Sequence, residues 1–235
     1  MISEANIPES PRTQVQHGHW ALAEDPLSVF GDIRRKLNTT WMRLTYPFAG
    51  FGRNVSIDHS CEIRRSISKW VHIGDSVYLA PGIWLNVPEC ISDASPVIIL
   101  KDGCRIGRRC MISAKNRVCL EEDVLLGPSV LITDHSHRFS NIDLPIHAQG
   151  LTAGGTVRVE RNCWLGHGAA IVCTVGELVL GRNSVVGANS VVTRSIPPFS
   201  VVAGNPALFE PECRTPRQMQ LANALCRYRE IAKVI

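Results

Sequence analysis

The chain has 235 residues, 45% of them apolar and 20% charged, with 18 Gly and 14 Pro, which excludes a disordered chain, a collagen and a coiled coil and fits one globular domain with appendages. Net charge is only +4, with 20 Arg beside 5 Lys and no basic run, so no nucleic-acid partner is expected. The longest apolar stretch, Val77 to Leu85, falls far short of the roughly 20 residues that span a bilayer, and no secretory pattern opens the chain, so the reading is a cytoplasmic protein.

Residues 1–54 read as an N-terminal extension. Within it, residues 27–47 set Phe30, Ile33, Leu37, Trp41 and Leu44 on one helical stripe, with Arg34, Arg35, Lys36 and Arg43 among them. A short helix covering the first turn of the next domain is one reading. Weak membrane-surface association of a basic amphipathic segment is the other.

From residue 55 to 206 aliphatic residues return at every sixth position, often followed by Gly and, four residues on, by a small or slender residue. The series runs through Ile57, Ile63, Ile73, Leu79 and Leu85, then Leu100, Ile106 and Ile112. After a two-residue slip it continues through Leu120, Leu126 and Ile132, and a last block holds Val159, Leu165, Ile171, Leu180, Val186 and Val192. A period of six is neither that of a helix nor that of a simple alternating strand. Short strands joined at corners explain it, three sides to a turn, with each aliphatic residue stacked on its counterpart about 18 residues later. The expected fold is an all-β, triangular parallel β-helix. The fourth residues, including Cys61, Val77, Ile83, Cys110, Val130, Ala169, Ser184 and Ser190, should also face its narrow interior.

The longest break in the repeat is the loop 136–156. It opens with Ile132-Thr-Asp-His135-Ser-His137 and carries Pro145, His147 and three Gly. Loops of that length in a compact fold are usually functional or disordered, and two His with an Asp at the root favour function. The 20-residue spacing of Ile112 and Ile132 should put Lys115 and Asn116 beneath His135. Between Ile171 and Leu180 the spacing is nine, which predicts a three-residue excursion over Cys173 to Leu178. In the tail, residues 207–235, Thr215-Pro-Arg-Gln218 followed by Leu221, Leu225, Tyr228, Ile231 and Ile235 predicts a C-terminal α-helix. Nine Cys without a Cys-x-x-Cys pair suggest neither a disulfide framework nor a zinc knuckle, and Cys163 and Cys173 read as core or corner residues.

Hexads of this form, with ITDHSH, PIHAQG and CWLGHGAAIV, resemble the hexapeptide-repeat acetyltransferases, in particular the group acting on sugars of surface polysaccharides. The resemblance covers about 150 residues and implies a left-handed β-helix, against the usual right-handed crossover. It also implies acetyl-coenzyme A as co-substrate, a sugar acceptor, no metal, and a homotrimer with sites between subunits. His135 matches the family's general base; an imidazole suits the removal of a hydroxyl proton near neutral pH. Asn116 matches an acceptor-binding amide. Asp134 is taken to bind the acceptor or to orient the imidazole, with a polar corner as the plain alternative. The closing segments match in order and spacing: Trp164, Gly166, His167 and Ala188 along the pantetheine tunnel, Thr193 and Arg194 toward the nucleotide end, and Gly204 and Asn205 beyond. Arg194 matches a basic position near the 3′-phosphate, where a guanidinium fork is apt.

The chain departs from the pattern in three places: Leu165 replaces an Ile, the excursion after Ile171 is unusual, and the basic residues many relatives carry after Pro206 are missing, with Arg214 or Arg217 as substitutes. Three other readings stay open: N-acetylation of an amino sugar, a metal-dependent lyase similar to the gamma carbonic anhydrases using His135, His137 and His167, and a non-catalytic assembly scaffold.

Overall fold

The computed structural model describes residues 26–88 and 96–209. A helix, α1 (Pro26–Thr45), comes first. From Gly50 the backbone coils through three parallel sheets in strict rotation. The first face holds Gly50–Phe51, Val71–Ile73, Ile98–Leu100, Arg117–Leu120, Gly154–Val159 and Val175–Leu180. The second face begins with Ser56–Ile57 and ends with Val201–Ala203 and an antiparallel addition, Leu208–Phe209. The third face runs from Glu62–Ile63 through Met111–Ser113, Leu131–Thr133 and Ala170–Val172 to Val191–Val192. This is the expected left-handed parallel β-helix.

The hexad aliphatics form its core. Ile57, Ile73, Leu79, Leu100, Ile106, Ile112, Leu120, Leu126 and Ile132 are all fully buried, each contributing about 1.5–3 kcal/mol by leaving water. Among the fourth residues Val77, Ile83, Cys110, Val130, Ala169, Ser184 and Ser190 are buried as expected, whereas Cys61, in the first turn, is only half-buried. Corners repeat their backbone as faithfully as the faces repeat their side chains. Asn54, Ser76, Gly103, Asp123, Asn162 and Asn183 stand at successive first-to-second corners with positive φ, a conformation Gly, Asn and Asp tolerate better than most residues.

The third-to-first edge behaves differently, because it absorbs the irregular spacings. Ile112 and Ile132 are register partners in spite of their 20-residue separation, since the two extra residues are taken up around Ala114–Asn116. The long loop leaves the prism at this same edge. The nine-residue spacing after Ile171 is resolved differently from a loose excursion: Val175–Leu180 is a six-residue strand paired along its whole length with Gly154–Val159. The loop's return strand joins the sheet early, and the extra residues supply its partner.

Helix α1 caps the open end of the prism, but by the face opposite its apolar stripe. Met42 and Thr39 are the buried residues; the Thr39 hydroxyl accepts the Ile57 N–H at 2.9 Å and lies 3.2 Å from the Ile57 carbonyl. Asn38 donates to that carbonyl at 3.3 Å. The reason is hydrogen bonding: the terminal coil presents backbone groups that need polar partners, which aliphatic side chains cannot supply. No helix among the described residues is long and apolar enough to cross a membrane. The expected C-terminal helix, with Arg214 and Arg217, lies outside the described residues.

Candidate active site

Where the third-face strand Leu131–Thr133 ends, Asp134 is fully buried and reaches to the turn below. Its Oδ1 accepts the Lys115 N–H, and its Oδ2 accepts the N–H groups of Asn116 and Arg117, each at 2.8 Å. Three consecutive amides converging on one carboxylate form an anion-binding nest. The fourth partner is the His135 ring, whose Nδ1 lies 2.8 Å from Oδ1. Burial pushes the Asp134 carboxyl up, but the hydrogen bonds from His135 and the three amides outweigh it and hold the group below the ordinary aspartate range.

An ionised, acceptor-only carboxylate at Nδ1 dictates the imidazole tautomer. Nδ1 carries the proton, and the Nε2 lone pair is left for chemistry. The His135 side chain is 10% exposed, so the ring is held from below and open only at its rim. Proton abstraction from a bound hydroxyl is what this arrangement can do.

Asn116 and Lys115 lie beneath His135 as the spacing requires, and both brace the loop. Asn116 Nδ2 donates to the carbonyls of Ala153 and Gly155 at 2.9 and 3.1 Å, and Lys115 Nζ donates to the Thr152 carbonyl at 2.8 Å. The loop is also tied to itself: Arg138 N–H to the Gly150 carbonyl, Ser136 N–H to the Thr152 hydroxyl, and Gln149 clasping the backbone at Asn141 and Leu144. Gly154 completes the neighbourhood at φ +80°, where a Cβ would come within 2.7 Å of Asn116 Nδ2 and 2.8 Å of the Asp134 carbonyl. In the sequence Gly154 is only one of three loop glycines; its contact with Asp134 needs the fold to be seen.

The Asp134 carboxylate has no exposed surface and both its oxygens are taken, which places it behind the imidazole. His137 is exposed, out on the loop.

The remaining expected site residues divide between two edges of the prism. Thr193 and Arg194 are exposed on the His135 edge, two turns further along. Gly166, His167 and Ala188 sit on the second-to-third edge, stacked on Gly127 and Gly187 so closely that a Cβ at Gly166 would come within 2.7 Å of the Ala188 nitrogen. Gly204 and Asn205 are exposed on that same edge, where Gly204 accepts the Val191 N–H and donates to Ser190. Trp164 is half-buried on the second face between Leu125 and Val185. A single copy of the chain therefore does not bring His135 together with the Gly166 column. Cys163 and Cys173 are buried. Among the described residues no group of three or more His, Cys, Asp or Glu is arranged to hold a metal ion, and His135 and His167 are on different edges.

No family model matches the chain. It is similar to proteins named as acetyltransferases: a probable acetyltransferase of Mycobacterium tuberculosis, 28% identical over 171 residues, which cover 70% of this chain and 50% of that protein. A putative lipopolysaccharide biosynthesis O-acetyl transferase, WbbJ, of Escherichia coli is 31% identical over 118 residues, 47% of this chain and 58% of that one. The chain thus spans about half the length of these relatives. Among solved structures, AntD, an N-acyltransferase from Bacillus cereus crystallised with dTDP and coenzyme A, superposes with a TM-score of 0.61 at 17% identity, covering 80% of this chain and 95% of AntD; that likeness is one of fold. Together these matches bear out the resemblance to the hexapeptide-repeat acetyltransferases.

Proposed function

We propose that the chain is an acetyl-coenzyme A-dependent acyltransferase that moves an acetyl group to a hydroxyl of a sugar or polysaccharide precursor, with His135 as general base. The observation that carries this reading is the Asp134–His135 pair, in which a buried carboxylate held by three amides leaves one lone pair, on Nε2, at the surface. The acceptor hydroxyl attacks the thioester carbonyl as its proton passes to Nε2. The new C–O bond forms, the C–S bond breaks, and the imidazolium returns the proton to the departing sulfur. Asp134 steadies the charged ring through the first step and is not itself protonated. Among the described cysteines all are free and most are buried; none is needed as a nucleophile, and free thiols suit a cytoplasmic setting.

The split of site residues between two edges supports a homotrimer whose sites lie between copies. His135 on one copy would face the Gly166, His167 and Ala188 column of the next, a narrow, glycine-lined edge along which a slender pantetheine chain fits. Arg194 lies two turns beyond His135, about 10 Å along the axis at the strand spacing of about 4.8 Å, a direction that leads toward the nucleotide end of a bound coenzyme A. The loop adds to this case, since Phe139, Ile142 and Ile146 are exposed at its tip, Ile142 almost fully, and apolar side chains displayed in this way call for a covering surface.

Replacing His135 by Ala tests the reading. Transfer should fall about a hundred- to ten-thousand-fold, the usual worth of a positioned base, while coenzyme A binding and the unfolding midpoint stay close to those of the parent. A variant keeping more than about a tenth of the parent rate refutes His135 as the base. Screening acetyl-coenzyme A consumption against sugars, nucleotide-sugars and amino sugars identifies the acceptor; turnover confined to amino sugars would replace O-transfer by N-transfer.

A further inference from the structure

The capping helix α1 displays an apolar stripe that nothing in the chain's described residues covers. Phe30, Ile33, Leu37, Trp41 and Leu44 are 69, 50, 66, 64 and 79% exposed, and at helical spacing they form one continuous row. The row points away from the prism, because the opposite side of α1, through Thr39 and Met42, is the side that docks on Ile57. Helices on globular proteins normally turn their apolar stripe inward. Here the inward place is taken by polar capping of the terminal coil, and the stripe is left outside.

Charge distinguishes the occupants such a stripe could take. Exposed Arg34 lies beside the stripe, and exposed Lys36 and Arg43 lie further round the helix. The first coil, which forms the same end of the prism, adds exposed Arg53, Arg64, Arg65 and Lys69. Residues 26–70 hold eight of the chain's 25 Lys and Arg but only three of its 21 Asp and Glu, so this end carries +5 and the rest of the chain −1, against a total of +4. Docking of a second identical end would bring two +5 surfaces together, which like-charge repulsion opposes. A large apolar row with an aromatic residue, set among cations, matches instead the boundary of an anionic bilayer, where the apolar side chains sink into the headgroup region and the cations meet lipid phosphates.

We propose that the α1 end of the prism binds anionic lipid surfaces peripherally, with Phe30, Leu37, Trp41 and Leu44 inserted and Arg34, Lys36 and the first-coil cations on the phosphates. This goes beyond the acyltransferase reading and does not depend on it.

Co-sedimentation of the full chain with vesicles tests the proposal. Pure phosphatidylcholine vesicles are compared with vesicles carrying about a third phosphatidylglycerol, at about 0.1 M and about 0.5 M salt. The parent chain should sediment with the anionic vesicles only, and less at high salt. The double variant Leu37→Glu with Trp41→Glu should lose at least about tenfold in partitioning while keeping its unfolding midpoint, since both side chains already face water. Arg34→Glu with Lys36→Glu should lose binding too; this pair spares the stripe and keeps the test decisive should the first variant misfold. Failure of the parent to bind anionic vesicles overturns the proposal, as does equal binding by parent and stripe variant. A stripe variant that changes oligomeric state in solution, with no lipid binding by the parent, overturns it in favour of a contact between copies. Acetyl transfer to a soluble acceptor should be the same in parent and variants, so sedimentation and catalysis can fail separately.

Discussion

Replacing Asp134 by Asn exchanges one oxygen of a four-bonded carboxylate for an amide NH2 and keeps its shape. The amide oxygen can keep the Asn116 and Arg117 amides, now without charge assistance, which costs about 1 kcal/mol for each bond. The NH2 then faces the Lys115 N–H, a donor against a donor, and one buried N–H left unpaired costs about 1–3 kcal/mol. His135 can adapt by moving its proton to Nε2 so that Nδ1 accepts. Together these changes predict a stability loss of about 3–5 kcal/mol, large beside the total of about 5–15 kcal/mol usual for a domain.

The same tautomer switch removes the lone pair from Nε2, so transfer should fall about a hundredfold or more even where the variant is fully folded. Chemical denaturation gives the first quantity and initial rates the second, and the ring-nitrogen chemical shifts of His135 report the tautomer directly. The pH dependence has a definite sign. A carboxyl whose folded pKa is depressed contributes stability above its unfolded value and loses it as pH falls through the folded value. The carboxyl's own contribution to the gap between parent and variant should therefore begin to shrink only below about pH 4. A variant within about 1 kcal/mol of the parent, with Nδ1 still protonated and the rate unchanged, would refute the dyad.

Mixing His135→Ala chains with Ala188→Trp chains, each inactive alone, should restore about a quarter of parent activity by random assembly if each site takes one edge from each of two neighbouring copies; no recovery after verified subunit exchange refutes sites between copies. Ile112→Ala removes a fully buried stacking residue and should cost about 2–5 kcal/mol in denaturant unfolding; a smaller loss would mean the column relaxes around the cavity. Burial pushes the Cys104 thiol up to about 12 and those of Cys61, Cys110 and Cys163 up to about 11, so peptide mapping after alkylation near pH 8 should find these four unmodified in the folded chain. Rapid labelling at any of them would show the surrounding coil to be open.

Hexad spacing made the prism legible because each rung repeats the same inward residue, and a repeating backbone puts residues of equal phase in one column. Ile112 and Ile132 show how far that logic reaches, since even a two-residue slip left them partners. The position of the loop and the stacking of Lys115 and Asn116 under His135 were legible for the same reason. The role of Asp134 was not, because whether a carboxylate turns toward solvent or into a nest of amides depends on the turn beneath it.

The α1 stripe was legible as a stripe and misleading as a guide to docking, since the backbone groups of Ile57 and not apolar area decided which side faces the prism. Local order along the chain thus specified the columns and corners through periodicity, while the candidate base came from the family resemblance of the motif at the loop's root. Which columns share an edge, which way the helix rolls, and that His135 and Gly166 stand apart on one copy are relations between distant segments, and only packing in three dimensions determined them.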